Sequence, residues 1–235
     1  MTKLFDKNKI FCVVAVHFIL LLTLHTFQDC YYSLFYKIPF YKNIHTVFDI
    51  PRWLIWVIPS IMLIKIFEKD MAVSFSELFT NKLNWRIFWN INAVFLLYFL
   101  MRWLYYINFQ ADKLSTYPNI KTFLIQFVNS FWLTSNQAGF PEEMVFRAWI
   151  QNSLMSKIKI KNAIILSNIL FVIIHIPSFI LYYKYTNFWS CFYHSIGVFV
   201  FGSIFGILFA KTKNILAPVF FHTILDVFAV MVLKS

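Results

Sequence analysis

Two adjacent glutamates and an arginine stand between apolar runs in the stretch GFPEEMVFRAWIQ, residues 139–151. Glu143 and Arg147 are four residues apart, which is the spacing at which side chains of one helix form a favourable ion pair. Glu142 points about 100° away around the same helix and has no partner within the motif. Its carboxylate is therefore left to act on another group. The alternative is that all three residues lie at a polar helix end and only anchor it.

Two of the six histidines lie on later apolar segments with a notable residue four positions away, on the same helix face. His175 follows Phe171 in LFVIIHIP, and His222 precedes Asp226 in APVFFHTILDV. On a rise of about 1.5 Å per helical residue, His175 and Asp226 lie within about 2 Å of the depth of Glu142. His222 lies about 8 Å closer to the cytoplasmic edge on the same count. These depths are compatible with one shared cavity.

The composition indicates that these groups lie in an integral membrane protein. Of the 235 residues, 60% are hydrophobic and 21% aromatic, and the mean hydropathy is +0.66, whereas soluble domains are about half apolar. A spanning helix needs about 20 apolar residues, and open sheets cannot satisfy their backbone in lipid. We therefore predict an all-α, polytopic transmembrane bundle of about seven (six to eight) spans. Their predicted ranges are 10–28, 47–67, 85–107, 119–138, 160–176, 188–210 and 215–233.

The stretch 140–155 lies between the fourth and fifth predicted spans. Gly139 and Pro141 interrupt a regular helix there, and proline is favoured in the first turn of a new helix. The sequence leaves two arrangements open: 140–155 continues the fourth span, or it forms a half-helix after that span.

The basic residues orient the predicted bundle. If the N-terminus is cytoplasmic, cytoplasmic segments hold twelve Lys and Arg and outer segments hold seven, while Arg102 and Arg147 lie within spans. Because basic residues accumulate on the cytoplasmic side, we predict a cytoplasmic N-terminus. The formal charge of +11 is scattered over short loops, which favours contact with anionic lipid and argues against a nucleic-acid partner.

Together the motifs resemble the CAAX-processing and bacteriocin-processing (CPBP or Abi) family of intramembrane proteases. The resemblance consists of Glu-Glu-x-x-x-Arg (Glu142, Glu143, Arg147), Phe-x-x-x-His (Phe171, His175) and His-x-x-x-Asp (His222, Asp226) on successive helices. The first motif carries most weight, because chance supplies it in roughly 0.1% of such compositions. The third also fits His25 with Asp29 and His45 with Asp49. The resemblance marks 119–235 as a catalytic helical core that follows N-terminal transmembrane helices in 1–118.

The resemblance implies peptide-bond hydrolysis inside the membrane. Glu142 would act as general base on a water molecule held with His175, and Phe171 would support that histidine. Glu143 with Arg147 would hold the helix in register.

His222 and Asp226 would stabilise the oxyanion of the tetrahedral intermediate. Asp226 stands where many relatives have Asn, and a carboxyl group donates a hydrogen bond only when it is protonated. Orientation of His222 is therefore the better supported role for Asp226.

We expect no cofactor, and zinc is the alternative. Catalytic zinc needs three protein ligands and one open position, and Glu142, His175 and His222 would supply them. The sequence contains no His-Glu-x-x-His motif.

The expected partners are a peptide or protein substrate and membrane lipid, and the oligomeric state is left open. The compact chain resembles the bacterial branch of the family, which implies a multi-pass protein of a bacterial cell membrane, in bacteriocin self-immunity or peptide-pheromone maturation. The alternative is a non-proteolytic peptide-binding or immunity protein of the same fold. A transporter is disfavoured, because no inverted halves are evident.

The remaining polar and small residues favour packing roles. We interpret His17, His25, His45 and His194 as core, interfacial or loop residues. Gly202 and Gly206 have the spacing that lets helix backbones approach closely, and we favour packing within the molecule over homodimerisation.

Overall fold

The computed structural model describes residues 2–35, 50–109, 115, 117–181 and 187–232. His45 and Asp49 lie outside these ranges. The described residues form helices joined by short connections and contain no strand. The predicted all-α class is confirmed, and the chain is a polytopic membrane bundle.

Seven long helices run through the described part of the chain, and each predicted span overlaps one of them. They are α1 (Thr2–Phe35), α2 (50–66), α3 (Trp85–Phe109), α4 (120–155), α5 (Ile160–Leu181), α6 (Phe188–Thr212) and α7 (Leu216–Val232). Four contain segments long and apolar enough to cross a membrane: Lys9–Cys30, Trp85–Phe109, Ile160–Leu181 and Phe188–Thr212.

The stretch 140–155 continues the fourth span, so α4 is uninterrupted. It consists of alternating α-helical and π-helical segments: Ile120–Thr134 (α), Ser135–Gly139 (π), Phe140–Glu143 (α), Met144–Gln151 (π) and Asn152–Met155 (α). Pro141 has no N–H for a regular helical hydrogen bond, and a wider π-turn directly before it accommodates that loss. Helix α2 repeats the arrangement, because its π-turn Trp53–Val57 comes shortly before Pro59.

The main core surrounds the second half of α4. Every residue from 141 to 154 is buried. Leu21 of α1 and Trp56 and Ile64 of α2 belong to the same apolar cluster as Trp149, so the N-terminal helices enclose the predicted catalytic segment. Helix α3 differs, because only 6% of its most apolar segment is buried inside the protein. This exposure suits a helix in contact with lipid.

Helix α6 packs closely against α4 and α5 through two glycines. A Cβ atom at Gly202 would overlap the Asn168 side chain of α5, and one at Gly206 would lie 2.9 Å from Gln151 Oε1 of α4. Small residues permit this close approach of helices. The Gly-x-x-x-Gly spacing therefore serves helix packing within the molecule.

Candidate active site

Glu143 and Arg147 form the enclosed inner part of the site. Both side chains are fully buried, and Arg147 Nε lies 3.3 Å from Glu143 Oε2. Arg147 Nη2 donates to the Gly202 carbonyl at 3.0 Å, and its guanidinium lies 4.9 Å from the centre of the Phe171 ring. The pair predicted from the four-residue spacing therefore also ties α4 to α5 and α6.

Glu143 also holds a histidine of α7. His222 Nδ1 donates to Glu143 Oε1 at 2.8 Å. The His222 ring stacks on Phe205, with the ring centres 5.0 Å apart and the planes 18° apart. One charged hydrogen bond and one aromatic face thus fix the imidazole, and its Nε2 faces Glu142.

Glu142 lies at the meeting point of the two predicted histidines. Its Oε2 is 3.7 Å from His175 Nε2 and 3.6 Å from His222 Nε2. Both distances exceed those of a hydrogen bond, and this buried oxygen has no direct hydrogen-bond partner among the described residues. Because buried polar atoms nearly always have one, the geometry calls for a small bridging donor.

The orientation of His175 follows from its own helix. Nδ1 donates to the Phe171 carbonyl at 2.7 Å, and the Phe171 ring stands edge-on to the imidazole at 4.6 Å. In the neutral ring Nε2 then has a free lone pair directed at Glu142. Two acceptors that face each other require a proton donor beside them.

Asp226 is the most open residue of the group. Its Oδ2 lies 3.6 Å from His222 Nε2, and its side chain is 36% exposed, against 7% for His222. The structure thus brings all seven predicted site residues together across α4, α5 and α7.

Arg52 of α2 lies at the site as well, and sequence reasoning missed it. Its Nη1 is 3.4 Å from Glu142 Oε1 and donates to the Gln137 carbonyl. The count of basic residues on each side of the membrane placed Arg52 among the outer segments, since it lies near one end of the predicted span 47–67. Its acidic partner is 90 residues away, so no local spacing reveals the pair.

The histidines interpreted as packing residues have other partners. His25 Nε2 donates to Ser178 Oγ at 3.1 Å, and Ser178 donates to Asp29 Oδ2 at 2.6 Å, which joins α1 to α5. His17 stands edge-on to Trp149 at 6.3 Å, and His194 Nδ1 donates to the Ser190 carbonyl at 3.0 Å.

The geometry of the site bears on zinc, the alternative to a metal-free reaction. Glu142, His175 and His222 have suitable donor types, but no group of three or more His, Cys, Asp or Glu is arranged to hold a metal ion in the described ranges. Activity without a metal stays a prediction, with zinc as the alternative, and chelation tests it.

Comparison with known families confirms the resemblance read from the motifs. Residues 124–228 match a family model described as type II CAAX prenyl endopeptidase Rce1-like. The matched segment contains the site residues of α4, α5 and α7, whereas Arg52 lies outside it. The curated proteins and the solved structures gave no match.

Proposed function

We propose that this chain is an intramembrane endopeptidase in which Glu142 activates the attacking water, and the match of residues 124–228 to the CAAX prenyl endopeptidase family model supports the peptidase class. The observation that carries the proposal is the buried Oε2 of Glu142, which faces two imidazole Nε2 atoms at 3.6 and 3.7 Å. That geometry suits a water molecule that bonds to all three atoms.

Glu142 is the general base of the proposed reaction. A water beside Oε2 directs one proton to Glu142 and the other to Nε2 of neutral His175. As the water oxygen attacks the scissile carbonyl carbon, Glu142 accepts its proton, and it later returns that proton to the leaving amide nitrogen. The C–N bond then breaks, and the remaining proton passes from the new carboxyl group to the amine, so that the products are a carboxylate and an ammonium group.

His222 stabilises the oxyanion in this mechanism. In its imidazolium form both ring nitrogens donate, so that Nδ1 keeps its bond to Glu143 and Nε2 donates to the developing negative charge. Asp226 Oδ2, at 3.6 Å from Nε2, orients the ring. Glu143 and Arg147 hold α4 and His222 in place.

The proposed substrate is a membrane-associated peptide or protein. Prenylated C-terminal Cys-a-a-X segments are the substrate class named by the matched family model. The proposed physiological role is bacteriocin self-immunity or peptide-pheromone maturation in a bacterial cell membrane, which rests on analogy with the compact members of the family.

The test uses purified full-length protein in detergent and two peptides of one sequence ending in Cys-a-a-X, one farnesylated and one unmodified. Mass spectrometry of the products identifies the cleaved bond. We expect cleavage by the wild-type protein and a kcat lower by about 100- to 10,000-fold in Glu142→Gln. Tight binding of a peptide without cleavage by the wild type would favour the non-proteolytic binding function instead.

A further inference from the structure

We propose that Arg52 of α2 is a positioning residue that holds the Glu142 carboxylate in the orientation in which one of its oxygens faces the reacting water. The inference rests on the proposed hydrolytic function and adds to it a residue that lies outside the family-matched segment 124–228. It also gives the N-terminal helices a part in the reaction.

The first step concerns the backbone that precedes Glu142. In a regular helix the Gln137 carbonyl would accept from the N–H four residues later, but that residue is Pro141, which has no N–H. Arg52 Nη1 donates to this carbonyl. The neighbouring Asn136 carbonyl accepts from Trp53 Nε1 at 3.1 Å. Two consecutive residues of α2 therefore bond to the π-turn that carries Glu142 into the site.

The second step concerns the two oxygens of the carboxylate. Oε1 of Glu142 lies 3.4 Å from Arg52 Nη1, whereas Oε2 faces His175 and His222. A guanidinium on one side and two imidazoles on the other hold the carboxylate group in one orientation. Without Arg52 the carboxylate loses its charged neighbour on the Oε1 side and is free to rotate.

The third step is that Arg52 itself is held in place. Its guanidinium lies 5.1 Å from the ring centre of Trp56, one turn further along α2, and Trp56 is buried against Phe146 of α4. The arginine side chain is only 17% exposed. A planar guanidinium suits stacking on a ring and simultaneous bonds to a carbonyl and a carboxylate, which a lysine ammonium does not reproduce.

Arg102 of α3 provides a matched control. It is also an arginine within an apolar helix, and its guanidinium also lies 5.1 Å from an aromatic ring, that of Tyr106. Arg102 Nη2 donates to the Tyr106 hydroxyl at 3.1 Å on its own helix. Replacing either arginine removes one cation stacked on a ring, but only Arg52 is an ion-pair partner of Glu142.

The experiment compares Arg52→Gln, Arg52→Lys and Arg102→Gln in the peptide assay, with kcat and KM determined separately for folded protein. We expect Arg52→Gln to lower kcat by about 100-fold at unchanged KM, because misplacing a catalytic group by about 1 Å has that effect. Arg52→Lys should have a kcat about tenfold higher than Arg52→Gln, since lysine keeps the positive charge but lacks the planar guanidinium. Arg102→Gln should leave kcat unchanged.

Three results would overturn the proposal: an unchanged kcat in Arg52→Gln, a loss confined to KM, or an equal loss in Arg102→Gln. If Arg52→Gln does not fold, Arg52→Lys against Arg102→Lys decides, and equal kcat values reject the positioning role. A wild-type protein that cleaves no peptide would reject the proposed function, whereas an active wild type with an equally active Arg52→Gln rejects the role of Arg52 alone.

Discussion

Glu142 and Glu143 are neighbours in the chain and have opposite surroundings. Glu143 is fully buried, and its oxygens face Arg147 at 3.3 Å and His222 Nδ1 at 2.8 Å. The Glu142 side chain is 7% exposed, and its nearest charged or ionisable groups lie between 3.4 and 3.7 Å away. Glu143 thus has one short hydrogen bond, to His222 at 2.8 Å, whereas each of these contacts of Glu142 is 3.4 Å or longer.

This difference shows that two adjacent residues of one helix can have a structural and a catalytic role, respectively. Adjacent residues point about 100° apart, so one glutamate faces the α5 and α6 side through Arg147, while the other faces the space between His175 and His222. The predictions below test this division between a supporting side around Glu143 and a reactive side around Glu142.

The largest loss among the residues around these glutamates is expected for His222, which contacts both. His222→Ala should lower kcat by about 100- to 1,000-fold with little change in KM, which is the range for losing one oxyanion donor. The measurement is steady-state peptide cleavage per folded molecule. His25→Ala is the control and should keep kcat near the wild-type value, since His25 bonds to Ser178. A loss that falls in KM alone would mean that His222 binds substrate instead.

Arg147→Ala tests the supporting side. Removing one partner of a buried ion pair leaves a stranded charge, at a cost of about 3 to 5 kcal/mol in the free energy of unfolding. We therefore expect reduced folded yield and lower resistance to denaturant in detergent, together with lost activity. An Arg147→Ala protein that unfolds like the wild type and yet is inactive would assign Arg147 to the substrate or the transition state.

Substitutions of Asp226, at the exposed edge of the reactive side, distinguish orientation of His222 from direct stabilisation of the oxyanion. Asp226→Asn should stay within about tenfold of the wild-type kcat, because the amide oxygen can still accept from His222 and the amide NH2 donates a hydrogen bond without needing to be protonated. Asp226→Ala should lose activity. If a well-folded Asp226→Asn is inactive, the negative charge itself is required to orient His222 or to hold a metal, and a direct oxyanion role for position 226 is rejected.

Removal of metal should have the smallest effect. Purified active protein should keep its cleavage rate after exhaustive chelation, because Glu142 and the two histidines suffice for the proposed chemistry. Loss of activity that stoichiometric zinc restores would replace this mechanism by the metal-dependent alternative.

The sequence predicted those parts of the site that depend on local spacing. The Glu143–Arg147 pair follows from a four-residue interval on one helix, and the spans follow from runs of apolar residues. The depth count set His222 apart from Glu142, yet their side chains lie 3.6 Å apart, because such a count treats every helix as straight and perpendicular to the membrane. The place of Arg52 at the site was not predicted, because its partner Glu142 is 90 residues away. The sequence marked the break at Gly139 and Pro141 but did not show that a π-turn accommodates it.

The most direct test of the account measures cleavage and unfolding side by side for Glu142→Gln and Glu143→Gln. We expect Glu142→Gln to unfold like the wild type while its kcat falls by about 100- to 10,000-fold, the contribution of a general base. Glu143→Gln should instead lose about 3 to 5 kcal/mol in the free energy of unfolding, because Arg147 is left buried without its counter-ion. A folded Glu142→Gln protein that cleaves within about tenfold of the wild-type rate would contradict the central claim that Glu142 is the catalytic base.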